Sequence, residues 1–236
     1  MTLTLVSLLG DNVDEATADL ATHLSVSGTE ATFDPEWSHA RRMNLVRSGV
    51  ADIVWLCGLL ALELDAASET RADVIAAPVF EGETDAVYRA VIVTRFPVSG
   101  LAELCTPGVS WAMNEPISWS GHRALLAECA HRGLPPPGNI VWSGSHLDSI
   151  RMVAAGGADA ASIDSTVWRW AGVEDLVVVD ETRSWPSPPL LVRSDLRSRM
   201  PQLAGIITDA GFMRGVDRLQ PVDWGHLDPI RSSVGL

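Results

Sequence analysis

The chain has no apolar run long enough to cross a bilayer, which excludes an integral α-helical membrane protein and predicts a soluble fold without membrane insertion. Basic residues are few. Seventeen face 30 acidic residues, a formal net charge of −13, and such a balance repels nucleic acid and anionic lipid surfaces. A small-molecule ligand is the expected partner, with a protein partner or a second copy of the chain as further options. Cysteine is scarce as well. Cys57, Cys105 and Cys129 are odd in number, widely separated and without a CxxC pair, so neither a disulfide framework nor a zinc knuckle is expected. The six histidines never fall at ligand spacing beside carboxylates, so the reading contains no metal and no cofactor. Low-complexity segments and short repeats are absent. The N-terminus shows no basic n-region and no small-residue cleavage site, and it enters a strand-like run directly; a cytoplasmic location is the expectation.

What is present is apolar material in alternation. At 236 residues and 47% hydrophobic content, the chain can bury one sizeable core or two small lobes. Leu3 to Leu9 predicts a strand, and Val13, Ala16, Leu20 and Leu24 recur at helical spacing behind the Gly10-Asp11-Asn12 turn. His39 to Ser48 predicts a helix stopped at Gly49, and Ala51 to Cys57 a strand buried on both faces. The pattern continues through Val74–Phe80, Tyr88–Thr94, Val109–Met113, Ile140–Trp142, Ala158–Ile163, Leu176–Val179 and Leu190–Val192, with helices between most of them. Ser194 to Val216 reads as helix interrupted at Pro201, and the tail from Pro221 as loop. Strand–helix alternation with two crossings predicts α/β architecture in two Rossmann-like lobes. Lobe 1 would be residues 1–90 plus 190–236 and lobe 2 residues 91–189, with hinges near Ala90–Thr94 and Arg183–Leu190.

One stretch concentrates chemistry. Asn114-Glu115-Pro116-Ile117-Ser118-Trp119-Ser120-Gly121-His122 joins a strand to a helix whose first turn offers unpaired N–H groups, small hydroxyls and the positive end of a dipole. That combination suits an anion. Two other segments, Ser48-Gly49-Val50-Ala51-Asp52-Ile53-Val54 and Ala155-Gly156-Gly157-Ala158-Asp159-Ala160-Ala161, each end a helix with Gly and set Asp before a strand. The strands' carboxyl ends, Trp55-Leu56-Cys57 and Ile163-Asp164-Ser165, then fall where open α/β sheets bind ligands. Trp37, Trp55, Trp119 and Trp185 lie at expected loop ends, either as an aromatic box for a cationic group or as core filling. His146 follows a Gly-Ser turn and can contact an anion or exchange a proton. His122 and His131 read as surface or capping groups, and Arg41, Arg42, Arg47 and Arg123 as solvated ion pairs. Cys57 is either a small buried side chain or a nucleophile at a strand end.

Four segments together resemble the phosphonate-binding-protein family, the solute-binding components of phosphate and phosphonate ABC importers. They are Arg47–Trp55, Asn114–Gly121, Ser143-Gly144-Ser145-His146 and Gly156–Asp164, and the resemblance covers about residues 1 to 215. It implies the type II periplasmic-binding-protein fold. It further implies that Ser118, Trp119 and Ser120 hold an oxyanion, that His146 contacts it, that Asp164 receives an amine, and that Trp55 with His39 or Trp37 belongs to the first-lobe side. Where the family carries a middle hydroxyl this chain has Trp119, and the tyrosines that the resemblance leads one to expect at the first-lobe ligand positions are absent. The leading expectation is a receptor for a small anionic or zwitterionic ligand. Its rivals are a metal-free biosynthetic enzyme of lyase or hydrolase type using His146, Cys57 and His39, and a regulatory module that binds a protein partner.

Overall fold

The β-branched and apolar runs form strands because alternate residues of each can bury on opposite faces of a sheet, and the amphipathic segments between them cover those faces. A computed structural model describes residues 2–68, 71–211 and 213–235. Residues 1, 69, 70, 212 and 236, which fall inside the expected lobe 1, lie outside the described residues. In chain order the first strands are β1 (Leu3–Ser7), β2 (Ala31–Thr32), β3 (Ile53–Trp55), β4 (Ala72–Phe80), β5 (Val87–Tyr88), β6 (Ala90–Thr94) and β7 (Ser110–Met113). They are followed by β8 (Asn139–Trp142), β9 (Ala160–Asp164), β10 (Val177–Glu181), β11 (Trp185–Pro186), β12 (Leu190–Arg193) and β13 (Val216–Pro221). The chain divides into two compact units, residues 2–87 with 186–235 and residues 88–185.

The first unit holds a six-stranded sheet in the order β13-β4-β12-β3-β1-β2. β1 runs parallel to β2 and β3, while β12 and β13 return antiparallel, so the sheet is mixed. The helix Asp11–Val26 buries Val13, Ala16, Leu20 and Leu24 along one stripe, as its 3.6-residue spacing requires. Two expectations fail at the carboxyl end. The expected break at Pro201 is there, between the short helices Ser194–Arg199 and Leu203–Thr208, but the helical pattern stops at Thr208 instead of reaching Val216, and Val216–Pro221, expected as helix end and loop, is an edge strand. A bulge between Val216 and Arg218 breaks the inward–outward alternation there, which hides the strand from a period-two reading. The tail is ordered too: a 3-10 turn (Trp224–Leu227) leads into the helix Asp228–Val234, and Leu227 of the turn and Ile230 of the helix pack closely against Gly58.

The second unit holds a five-stranded sheet in the order β10-β6-β9-β7-β8. β8, β7 and β9 are parallel, β6 runs antiparallel to β9, and β10 antiparallel to β6. Both faces are buried with a period of two. Val91, Val93, Ala112, Ala161 and Ile163 face one apolar cluster, and Ile92, Trp111, Met113 and Ala160 face the other. The chain passes between the units at Val87/Tyr88 and Trp185/Pro186, in the strands β5 and β11 that pair as a short ribbon. Ala90–Thr94 is therefore no hinge: it is the fully buried strand β6, bonded on both sides. No helix among the described residues is long and apolar enough to cross a membrane.

Arg42 also departs from expectation. Its guanidinium is buried against Asp14, with Nη1 and Nη2 donating to the carboxylate at 2.8 and 2.7 Å, and it donates further to the carbonyls of Ser7, Pro35 and Trp37. The pair holds the 33–38 loop to the end of β1. A buried charge stripped of its partner costs about 3 kcal/mol. Asp14→Ala should lower the unfolding free energy by about that amount in urea titrations, whereas Arg41→Ala, which removes only a cation–π contact over half-exposed Trp37, should stay within about 0.5 kcal/mol.

Candidate functional site

Three adjacent parallel strands of the second unit deliver the chemistry from their carboxyl ends. β7 runs into Asn114–Ser120, β8 into Ser143–His146, and β9 ends at Asp164. The amides of Ser143 and Gly144 donate to the carbonyls of Met113 and Asn114 at 2.8 and 3.0 Å, which holds the first two of these loops side by side. Carboxyl ends of parallel strands are where open α/β sheets expose backbone amides and helix starts to ligands.

Ser120, His146 and Asp164 meet in one hydrogen-bonded chain. Asp164 donates its backbone N–H to His146 Nδ1 at 3.3 Å, so Nε2 carries the ring hydrogen and faces Ser120 Oγ at 3.1 Å. The Ser120 hydroxyl donates onward to Asp164 Oδ2 at 3.3 Å. Asp164 Oδ1 meanwhile caps the helix Ser165–Ala171, accepting from the Thr166 amide and hydroxyl at 2.8 and 2.7 Å. Beneath the cradle, Ser162 donates to the Ser120 carbonyl at 2.7 Å. Ser162 and Ser149 were not singled out in the sequence. Their signal was a hydroxyl inside an apolar strand or on a buried helix face, which must find a partner.

The cradle itself begins with a π turn, Trp119–Arg123, that continues as the helix Ala124–His131. Ser118 is the N-cap, accepting the Gly121 amide at 3.1 Å. The amides of Trp119 and Ser120 open the first turn and have no acceptor within the helix. Gly121 is required by approach rather than by backbone angle. A Cβ there would lie 2.6 Å from Asn114 Cγ and 2.8 Å from Ser118 Oγ. His122, expected as a surface or capping group, is buried; its Nδ1 bonds the Pro116 carbonyl at 3.0 Å and its ring meets Trp142 edge to face at 5.0 Å between centroids. It locks the turn and is not a surface group. His131 is exposed.

The tryptophans are mostly structural. Trp119 is 1% and Trp185 3% exposed, and the two rings meet edge to face at 4.7 Å. Trp119 thus offers its backbone amide to the cradle while its ring is packed away. Trp55, in the first unit, is 1% exposed, with Nε1 donating to the Pro188 carbonyl at 3.0 Å, so it fills that unit's core and is no lining residue. The box reading fails for these three rings. Trp37 is half-exposed beneath the Arg41 guanidinium, His39 is exposed at the first residue of its helix, and Cys57 is half-buried at the N-cap of the helix Gly58–Ala66. These three belong to the first unit. Ser118, Ser120, His146 and Asp164 belong to the second.

Burial pushes the His146 imidazole below the usual histidine range, against the opposing pull of the Asp164 carboxylate. Burial lowers His122 and His226 as well. A neutral His146 can donate one hydrogen bond to an anion without adding a full charge. Among the described residues no cluster of three or more His, Cys, Asp or Glu is placed to hold a metal ion.

The two mixed sheets and the double chain crossing are those of the type II periplasmic binding protein class. Solved structures share the fold over nearly the whole chain. A phosphonate-binding protein from Prochlorococcus marinus in complex with methylphosphonate superposes with a TM-score of 0.75 at 18% identity, covering 98% of this chain and 96% of that one. A binding component of a phosphonate ABC transporter from Pseudomonas aeruginosa gives 0.73 at 18% identity, over 99% and 85%. A Xanthomonas citri protein bound to ATP gives 0.66 at 15% identity, over 99% of both chains. Within the class, the family model for the phosphonate periplasmic substrate-binding proteins of ABC transporters matches residues 7–220, and the chain belongs to that family. No curated protein matches it by sequence.

Two outcomes follow from the site's geometry. Gly121→Ala should cost about 1–3 kcal/mol in urea unfolding, because Asn114 and the Ser118 cap must both move. Depressed folded-state histidine pKa values mean that the unfolded chain binds more protons, so stability is fully present above the ordinary histidine pKa of about 6.5 and falls as pH drops below it. Thermal unfolding followed from pH 8 to 5 should show that loss, and His146→Gln should flatten it in part, His122 and His226 supplying the remainder.

Proposed function

We propose that the chain binds a small zwitterion, an oxyanion carried with an amine, through residues 118–120, His146 and Asp164, and serves as a solute receptor for an ABC transporter. The observation that carries this reading is the position of Ser120. Its hydroxyl lies between a hydrogen-bearing imidazole nitrogen and a carboxylate, at 3.1 and 3.3 Å. An oxyanion brought to the first-turn amides of Trp119 and Ser120 gains the helix-start N–H groups, and the Nε2 hydrogen of His146 can turn to it. It also comes close to Asp164, and two like charges at that range repel by an amount that an adjacent ammonium group removes. A bare anion meets the repulsion uncompensated. The ligand class is thus an amine-bearing phosphonate or a chemically similar zwitterion. The methylphosphonate in the Prochlorococcus marinus complex supports the oxyanion half of the reading.

The hydrogen-bond order favours holding over catalysis. A serine nucleophile needs its proton accepted by histidine, with the acid steadying the other ring nitrogen. Here Ser120 donates to Asp164 itself, and His146 Nδ1 accepts from a backbone amide. Cys57 and His39, the other residues of the enzyme reading, belong to the first unit and take no part in the His146–Ser120–Asp164 hydrogen-bonded chain. The sequence also holds no lysine, its 17 basic residues all being arginine, so a Schiff-base nucleophile is unavailable.

Calorimetric titration with 2-aminoethylphosphonate and with methylphosphonate tests the proposal. The amine-bearing ligand should bind at least 10-fold more tightly, Asp164→Asn should remove that preference, and Ser120→Ala or His146→Ala should weaken both ligands by about 10- to 100-fold. Equal affinity for the two ligands in the wild type, or an unchanged preference in Asp164→Asn, would refute the assignment of Asp164.

A further inference from the structure

Cys105 and Cys129 form a contact that their spacing in the sequence did not suggest. Cys105 follows the short helix Leu101–Leu104, and Cys129 lies on the helix Ala124–His131 that continues the cradle turn. Their sulfurs are 3.5 Å apart across 24 residues of chain. Both side chains lie in the apolar cluster beneath the sheet, 5% and 1% exposed, between Leu101, Leu104, Trp111 and Leu125. None of the three cysteines is in a disulfide.

We infer that Cys105 and Cys129 are a built site for an intramolecular disulfide, closed by exchange with a small-molecule or protein disulfide oxidant. Bond formation needs the sulfurs to close by about 1.5 Å, within reach of side-chain rotation at two neighbouring positions. The exchange balances in two steps. One thiol loses its proton and attacks the oxidant's sulfur–sulfur bond, releasing one thiolate of the oxidant and leaving a mixed disulfide. The second cysteine, deprotonated in turn, attacks the protein sulfur of that mixed disulfide and releases the other thiolate. Two protein thiols are oxidised, one disulfide of the oxidant is reduced to two thiols, and both protons end on the released thiolates.

Burial sets the order and the speed. It raises both thiols, Cys129 to about 12, while the Arg132 charge lowers each. Cys105 is the more readily ionised of the two and the more exposed, so it attacks first and Cys129 resolves. A bulky mixed disulfide does not fit a site so enclosed, and the first step waits on local opening of the Leu101–Leu104 segment. Once formed, the intermediate has its resolving partner at contact distance, which favours ring closure over further oxidation of either sulfur. The closed bond ties the helix behind the cradle to the far side of the same apolar cluster. It also reads the compartment, since a thiol-buffered cytoplasm keeps the pair reduced and an oxidising periplasm closes it.

The full chain, prepared reduced, should be incubated with oxidised glutathione in urea just below the unfolding transition. It should then be acid-quenched, alkylated with N-ethylmaleimide and digested without reduction for mass spectrometry. The expected product is a Cys105–Cys129 linked peptide pair 2 Da lighter than the sum of its thiol forms, with Cys57 absent from it. The same link should form in a Cys57→Ala chain, and the closed protein should melt roughly 5 °C above its dithiothreitol-reduced form. Recovery of Cys105 and Cys129 as alkylated thiols or as stable glutathione adducts, or pairing of either with Cys57, overturns the inference. The readout uses native cysteines, so it does not depend on whether a Cys105→Ala or Cys129→Ala chain folds.

Discussion

The Ser120 hydroxyl is the contact on which the site depends. It takes a hydrogen bond from one loop and gives one to another, while its own carbonyl is held from below by Ser162. Three parallel strand ends are thereby fixed to a single side chain at the start of a helix. The Asp164 amide donates to His146 Nδ1, which leaves the Nε2 hydrogen for Ser120 Oγ and the Ser120 hydroxyl hydrogen for Asp164 Oδ2. Loss of any member leaves a partly buried polar group without its partner, so the arrangement is set cooperatively.

That economy bears on what the cradle can recognise. Ser118 is occupied as a helix cap and Ser120 as a bridge, and the family's middle hydroxyl is replaced by a ring buried against Trp185. In the binding mode proposed above, an oxyanion meets the first-turn backbone amides and takes the Nε2 hydrogen of His146 away from Ser120. Recognition of this kind is shape-dependent and weakly charged, and it puts the burden of selectivity on Asp164.

Much of the second unit could be read from the sequence because its signals are local. Asn114–His122 announces a capped turn, Asp164-Ser165-Thr166 caps the next helix, and the strands β6, β7 and β9 are apolar on both faces. The misreadings share a different cause: they involve partners distant in sequence. Arg42 is buried against Asp14, 28 residues away, and His122 against Trp142, on the next strand of the sheet. Trp55 looks available at a strand end until Pro188 accepts its indole N–H across 133 residues. Val216–Pro221 was lost to a bulge, and the Cys105–Cys129 contact to a separation that no short motif covers.

Gly121 and Trp119 stand two residues apart yet tolerate change very differently. The missing Cβ of Gly121 is filled by Asn114 and Ser118, so that position is closed to every other residue without rebuilding the turn. The side chain of Trp119 leaves the turn entirely, and the part that faces the cradle is a backbone amide that any residue except proline supplies. Positions 119 and 185 can therefore vary as a packed pair, altering how firmly the turn is seated while its backbone stays the same.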